Sequence, residues 1–255
     1  MPLFKAPCGR ESLLASGSLR PTACASLPKL LLPAGTSANS CLLTRHWAWL
    51  LATSRLPPEY SHEWRLGYSS ALHGASMNTF MGGVGGKGPS ILLVRDKQGS
   101  IFGGFASESW LKNGAFYGSF STFVFRLLPA VGLWPAKGIN EHFLWCGHNF
   151  AELTNGLGFG GQVDYFGLFI DASFEKGHSR PCATFDNPCL LGHGGQEFEV
   201  DAIECWLVEA PAGEVAKPTG SVLDRFKEDR TLLEIGGRKT GHSAGYREAP
   251  PELDD

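Results

Sequence analysis

The sequence predicts a mainly β protein with a few α elements: a two-sheet antiparallel β-sandwich flanked by short helices, plus a C-terminal helix. Three observations carry that expectation. Glycine is abundant, 33 of 255 residues, well above the usual ~7%, and such density suits tight turns because glycine alone takes positive φ without steric cost. Several short runs are rich in β-branched and aromatic residues and are bounded by turn residues. Little between them keeps a helical period.

Residues 1–57 read as a leader. Ser, Ala, Leu and Arg dominate, the apolar residues follow no sustained period, and Glu11 is the only acid in residues 1–55. Such composition resembles a mitochondrial presequence; a disordered or non-native leader accounts for it more simply, and a short helix over 41–52 docked on the domain is the third option.

The main domain is expected over 58–210. Residues 64–70 alternate and suit a strand, 73–81 a short helix, and 82–88 a flexible glycine loop. The run Ile91-Leu92-Leu93-Val94 is a buried strand. Asp96-Lys97-Gln98-Gly99 turns it, with Asp opening and Gly closing, and residues 100–106 return antiparallel. Further strands are expected over 121–127, 142–146, 166–171 and 197–208. In the last, Phe198, Val200 and Ala202 alternate with Glu197, Glu199 and Asp201, which gives one dry and one wet face.

Residues 211–255 read as a linker, an amphipathic helix and an acidic tail. Ser221-Val222-Leu223-Asp224 fits a loose capping box. Val222, Leu223, Phe226, Leu232, Leu233 and Ile235 form an apolar stripe that stops at Gly236-Gly237. A helix laid into a partner's groove binds through a few such anchors, here Leu223, Phe226 and Leu233.

Charge and cysteine content narrow the function. A formal net charge of −3 supplies no basic field for phosphates, so nucleic acid is not an expected partner. Seven cysteines, an odd number without a CxxC, argue for a reducing compartment and against a disulfide framework. No apolar run reaches 18 residues, so no transmembrane helix is expected. The opening Met1-Pro2 lacks an acceptor glycine for myristate, so membrane association is expected only through partners.

Four motifs tempt a chemical reading. Gly156-Leu157-Gly158-Phe159-Gly160-Gly161 has dinucleotide spacing, but a strand pattern and no helix follows it, so a glycine loop permitting close backbone packing is expected. Gly82 to Gly88 lacks the Ser or Thr and the first glycine of a phosphate loop: Gly88 and Met81 stand there. His178, Cys182, Cys189 and His193 offer zinc-type donors, but the central gap is short and Pro181 and Pro188 constrain the arms, so no metal is expected. Glu197, Glu199, Asp201 and Glu204 could serve acid–base chemistry, the first three reading more simply as a wet face.

The string Gly103-Gly104-Phe105-Ala106-Ser107, after a strand and a D-x-x-G turn, resembles the core of TLDc domains. So do Gly156 to Gly161 running into Tyr165-Phe166-Gly167-Leu168-Phe169-Ile170-Asp171, and Pro181 to Asn187 followed by a closing strand with Glu204 and Trp206. Within that family the chain resembles the mTOR-associated, lysosome-linked branch, through Tyr68 to Gly74, Gly177-His178-Ser179 and the tail through Leu232-Leu233-Glu234-Ile235. Members of that branch are longer, so the chain reads as a C-terminal portion or a short isoform.

The resemblance implies a β-sandwich without an agreed active site or cofactor. Gly103, Gly104, Phe105, Gly158, Gly160, Gly161, Gly167, Asp171, Glu204 and Trp206 carry over as structural signatures only. It also implies a cytoplasmic interaction module at the lysosomal membrane face, with vacuolar ATPase subunits or mTOR-pathway proteins as partners. The alternative is an oxidative-stress protective protein or enzyme using a reactive thiol, such as Cys146, or the carboxylates.

Overall fold

The structure, a computed structural model, describes residues 27–209. Its longest strand, β12 (Glu197–Glu209), belongs to two sheets. Residues 197–199 pair with β11 (Lys176–His178), 200–207 with β3 (Ser90–Asp96), and 204–209 with β2 (Glu63–Ser69). The pairing shifts at a bulge between Val200 and Ala202, the usual device by which a strand turns from one sheet into another.

On one side of that corner the order is β1 (Lys29–Leu31), β2, β12, β3, β4 (Ile101–Ala106), β6 (Phe123–Leu128) and β7 (Gly132–Pro135). On the other, β11 continues to β10 (Tyr165–Asp171), β9 (Gly156–Gln162), β8 (Leu144–Gly147) and β5 (Asn113–Tyr117). Every pairing is antiparallel except β1 with β2.

The first sheet is covered on both faces. Leu92, Val94, Phe102, Val124, Ile203, Cys205 and Leu207 share one core with Leu144, Leu157, Phe159, Leu168 and Ile170 of the second sheet. Helix α3 (Met77–Val84) adds Phe80, which meets Tyr68, Trp110 and Phe174 edge-on with ring centroids 5.3 to 5.9 Å apart. Trp64, Leu66, Ile91, Leu93, Phe105, Phe123, Phe125 and Trp206 face the other way, under Leu42, Leu43, Ala48, Leu51 and Leu56. Burying one such side chain is worth about 1.5–3 kcal/mol. A sheet between two apolar layers needs continuous apolar strands, and Ile91-Leu92-Leu93-Val94 meets that need.

Helix α1 (Arg45–Ser54) forms the covering layer with the segment before it. Thr44 caps it, its hydroxyl accepting the Trp47 N–H at 3.3 Å. Ala48 and Leu51 face the sheet, and Pro57-Pro58 follow because a proline disfavours helical backbone in the residue before it.

Several expectations are corrected. Residues 29–56, read from the sequence as part of a leader with a docked helix over 41–52 as one option, supply β1, five buried core side chains and that helix as α1, so the packed unit starts before residue 58. The expected glycine loop at 156–161 is the body of β9. Gly82 and Gly83 close α3, and the helix expected over 73–81 runs from 77 to 84, after a single turn α2 (Ser70–His73). Strands β1, β5, β7 and β11 carry no pattern that announced them: each has three to five residues, with no buried member. The hairpin at 90–106 forms as expected, with the Gly99 N–H donating to the Asp96 carbonyl at 3.0 Å. The expected C-terminal helix, with Leu223, Phe226 and Leu233, lies outside the described residues.

Candidate functional site

The residues singled out from the sequence fall into three places. Gly103, Gly104 and Phe105 lie in β4; Gly158, Gly160, Gly161, Gly167 and Asp171 in β9 and β10; Glu204 and Trp206 in β12. Gly104, Gly158 and Gly160 make room for rings, the last for Phe185. A Cβ on Gly104 would lie 2.6 Å from the Phe159 ring, so the two sheets close over a missing side chain. On the outer face of the second sheet, Trp145, Gly158, Phe169, His178 and Glu197 are successive cross-strand neighbours. Phe166 fills the hollow above Gly158, 2.7 Å from where its Cβ would be, and stacks on Phe169 at 4.7 Å.

Glu204 is the most committed polar residue. It is 3% exposed. Its carboxylate accepts the main-chain N–H groups of Leu42 at 2.7 Å and Leu43 at 3.2 Å, and the Trp206 indole N–H at 3.0 Å. The last strand thereby clamps the layer that covers the first sheet, and this acid is occupied in holding backbone.

The other carboxylates of the strand lie on the surface. Glu197, Glu199 and Asp201 are exposed; Lys97 pairs with Glu199 and Arg95 with Asp201. The hydrogen bond from Lys97 holds the Glu199 carboxyl below its usual range. Asp171, half-buried, accepts the Ser173 hydroxyl at 2.7 Å. With Lys97, Lys176, His178, Glu197 and Glu199 it lines an open groove of about 590 Å³.

Burial governs the thiols. It pushes Cys146 and Cys205 each up to about 12 and raises Cys182. Cys41 rises to about 11, chiefly by burial and secondly through the Glu204 charge. A thiol so raised stays protonated near neutrality and is a poor nucleophile. Cys146, the thiol favoured for chemistry, sits in the core beneath the Met81 thioether.

The remaining motifs are taken up by local structure. The Lys87 ammonium donates to the Gly82 and Gly83 carbonyls at 2.8 and 2.7 Å, which caps α3. Cys182 donates to Asn187 and Cys189 to the Gly195 carbonyl, and His178 stacks on Phe169 at 5.3 Å. Among the described residues no three His, Cys, Asp or Glu side chains converge as metal ligands. Sequence reasoning missed the burial of Asp96, whose one oxygen accepts the Ser100 N–H at 2.7 Å while the other, 3.6 Å from His193 Nε2, has no hydrogen-bond partner among the described residues. The D-x-x-G turn was its signal.

A β-sandwich whose marked acid holds backbone and whose marked glycines seat rings defines a scaffold of fixed shape. The TLDc domain model matches residues 36–209, and the chain belongs to that family. It is 40% identical over 206 residues to the MTOR-associated protein MEAK7 of Gallus gallus, covering 79% of this chain and 43% of the relative. The Homo sapiens protein of that name is 39% identical over 203 residues, covering 78% and 44%. Oxidation resistance protein 1 of Xenopus tropicalis is 35% identical over 162 residues, covering 62% and 17%. The chain therefore spans less than half the length of these relatives.

Proposed function

We propose that the chain is a non-enzymatic interaction module in mTOR-linked nutrient signalling, acting at the cytoplasmic face of the lysosome by binding the vacuolar proton-pumping ATPase. The mTOR link is supported by likeness to relatives named for mTOR association. The observation that carries the module reading is the Glu204 clamp: the acid that marks the closing strand is buried and bonded to three N–H groups of its own chain. A carboxylate engaged in this way serves shape. The tail stripe of Leu223, Phe226 and Leu233 supplies the anchors in this reading.

The test is recovery of the purified ATPase on the full chain, with Phe226→Asp alongside. Wild-type capture that Phe226→Asp abolishes is the expected result. Equal capture by the variant removes the tail's role, and no capture by wild type removes the pump as partner.

Protection against oxidation is the second reading, favoured by the likeness to oxidation resistance proteins. Its thiol form must overcome the burial of Cys146. Peroxide turnover by the purified chain, lost in Cys146→Ser, would establish that form; absence of turnover would end it.

A further inference from the structure

The charges are segregated by layer. Residues 27–57 contain Lys29, Arg45 and Arg55 and no acid, whereas residues 58–209 contain nine Lys or Arg and fifteen Asp or Glu. An acidic domain thus carries a basic cover on one face.

The outer side of that cover has a definite texture. Ala48 and Leu51 are spent on the sheet. Arg45, Trp49 and Thr53 follow at four-residue spacing along the opposite stripe, and all three are exposed, with His46 beside Arg45 and Arg55 beyond the helix end. Trp49 is 49% exposed, whereas Trp64, Trp110, Trp145 and Trp206 are at most 1% exposed. Among the described residues neither Arg45 nor Arg55 has an ion-pair partner.

We propose that this outer face of α1 rests on the anionic headgroup layer of a bilayer, with Trp49 at the interface and Arg45 and Arg55 over the lipid phosphates and carboxylates. Trp is at home at that depth because its ring is apolar and its N–H is not. Basic side chains near an anionic leaflet each strengthen attachment. Among the described residues this face offers an exposed indole beside unpaired basic side chains, a combination that suits an anionic interface. The contact is independent of the pump reading, and it adds a direct membrane surface where only partner-mediated attachment was expected.

The full chain is floated with vesicles of phosphatidylcholine and phosphatidylserine at about three to one, and with phosphatidylcholine alone, at low and physiological salt. Attachment to the anionic vesicles, weakened by salt, is expected. Arg45→Glu should lower partitioning at least about fivefold, and brominated lipid should quench indole fluorescence in wild type but not in Trp49→Phe. Both side chains are exposed, so these variants fold. Equal attachment to neutral vesicles, no attachment, or indifference to Arg45→Glu overturns the proposal. Absence of vesicle attachment, with the same variants losing a purified acidic partner such as the pump, overturns it and gives the face to a protein.

Discussion

The Glu204 carboxylate holds the Leu42 main-chain N–H at 2.7 Å across 162 residues of sequence. Its second oxygen takes the Leu43 N–H and the Trp206 indole, so one side chain ties the covering layer to the sheet beneath it. In Glu204→Gln the amide NH₂ must face one of these donors. Leaving a buried donor unpaired costs about 1–3 kcal/mol. The denaturation midpoint should fall accordingly, and amide exchange at Leu42 and Leu43 should accelerate before the rest of the domain opens. An unchanged midpoint with both amides still protected would show the clamp to be dispensable.

Gly104 and Phe159 should be energetically coupled. A Cβ on Gly104 meets three atoms of the Phe159 ring at 2.6–2.8 Å, and forcing atoms into a packed core costs about 1–3 kcal/mol. Gly104→Ala should therefore destabilise the native protein, and should do so less when Phe159 is Leu. A double-mutant cycle reads that difference directly. Purely additive effects would mean that the sheets move apart to admit the methyl.

Much of this architecture was legible in the sequence, and the gaps have a common cause. The hairpin at Asp96–Gly99 and the closing strand showed because their apolar residues recur in patterns that only burial explains. The layer over residues 29–56 was hidden because what attaches it, Glu204, lies far along the chain, and a lone buried acid leaves no local period. Composition pointed to a leader, since α1 presents Arg45, His46 and Trp49 to solvent and buries only Ala48 and Leu51. Strand β9 was hidden for the opposite reason. Its glycines were read as a loop, whereas Gly158 is there to seat the Phe166 ring from the next strand.

The acidic side of β12 should prove indifferent to neutralisation. Glu199 and Asp201 pair with Lys97 and Arg95 across exposed surface, where the cost of ordering two long side chains cancels most of the attraction. The triple variant Glu197→Gln, Glu199→Gln, Asp201→Asn should keep the wild-type denaturation midpoint at physiological salt. A large loss would mean that this strand's outer face carries a structural or catalytic load that its exposure hides.

The thiols should set an alkaline limit to stability. Burial raises Cys146 and Cys205 from the ordinary value of 9.0 to about 12, so in the folded chain both stay protonated where the unfolded chain ionises. Unfolding then releases protons above pH ~9, and the stability these groups confer is complete below that point and lost as pH rises towards ~12. Each contributes a slope of about 1.4 kcal/mol per pH unit in that window. Burial raises the Tyr117 phenol too, which adds to the slope above pH ~10, where an unfolded tyrosine ionises. Urea midpoints measured near pH 8 and near pH 9.5 should therefore differ, with the alkaline one lower. Cys146→Ala will lower stability at both values through the space it leaves, but it should flatten the slope between them. Native thiol labelling near neutrality should be slow at the buried cysteines until the chain unfolds. A wild-type midpoint that does not move with pH, or rapid labelling of native Cys146, would mean that this thiol is open to solvent, and the redox reading would regain its footing.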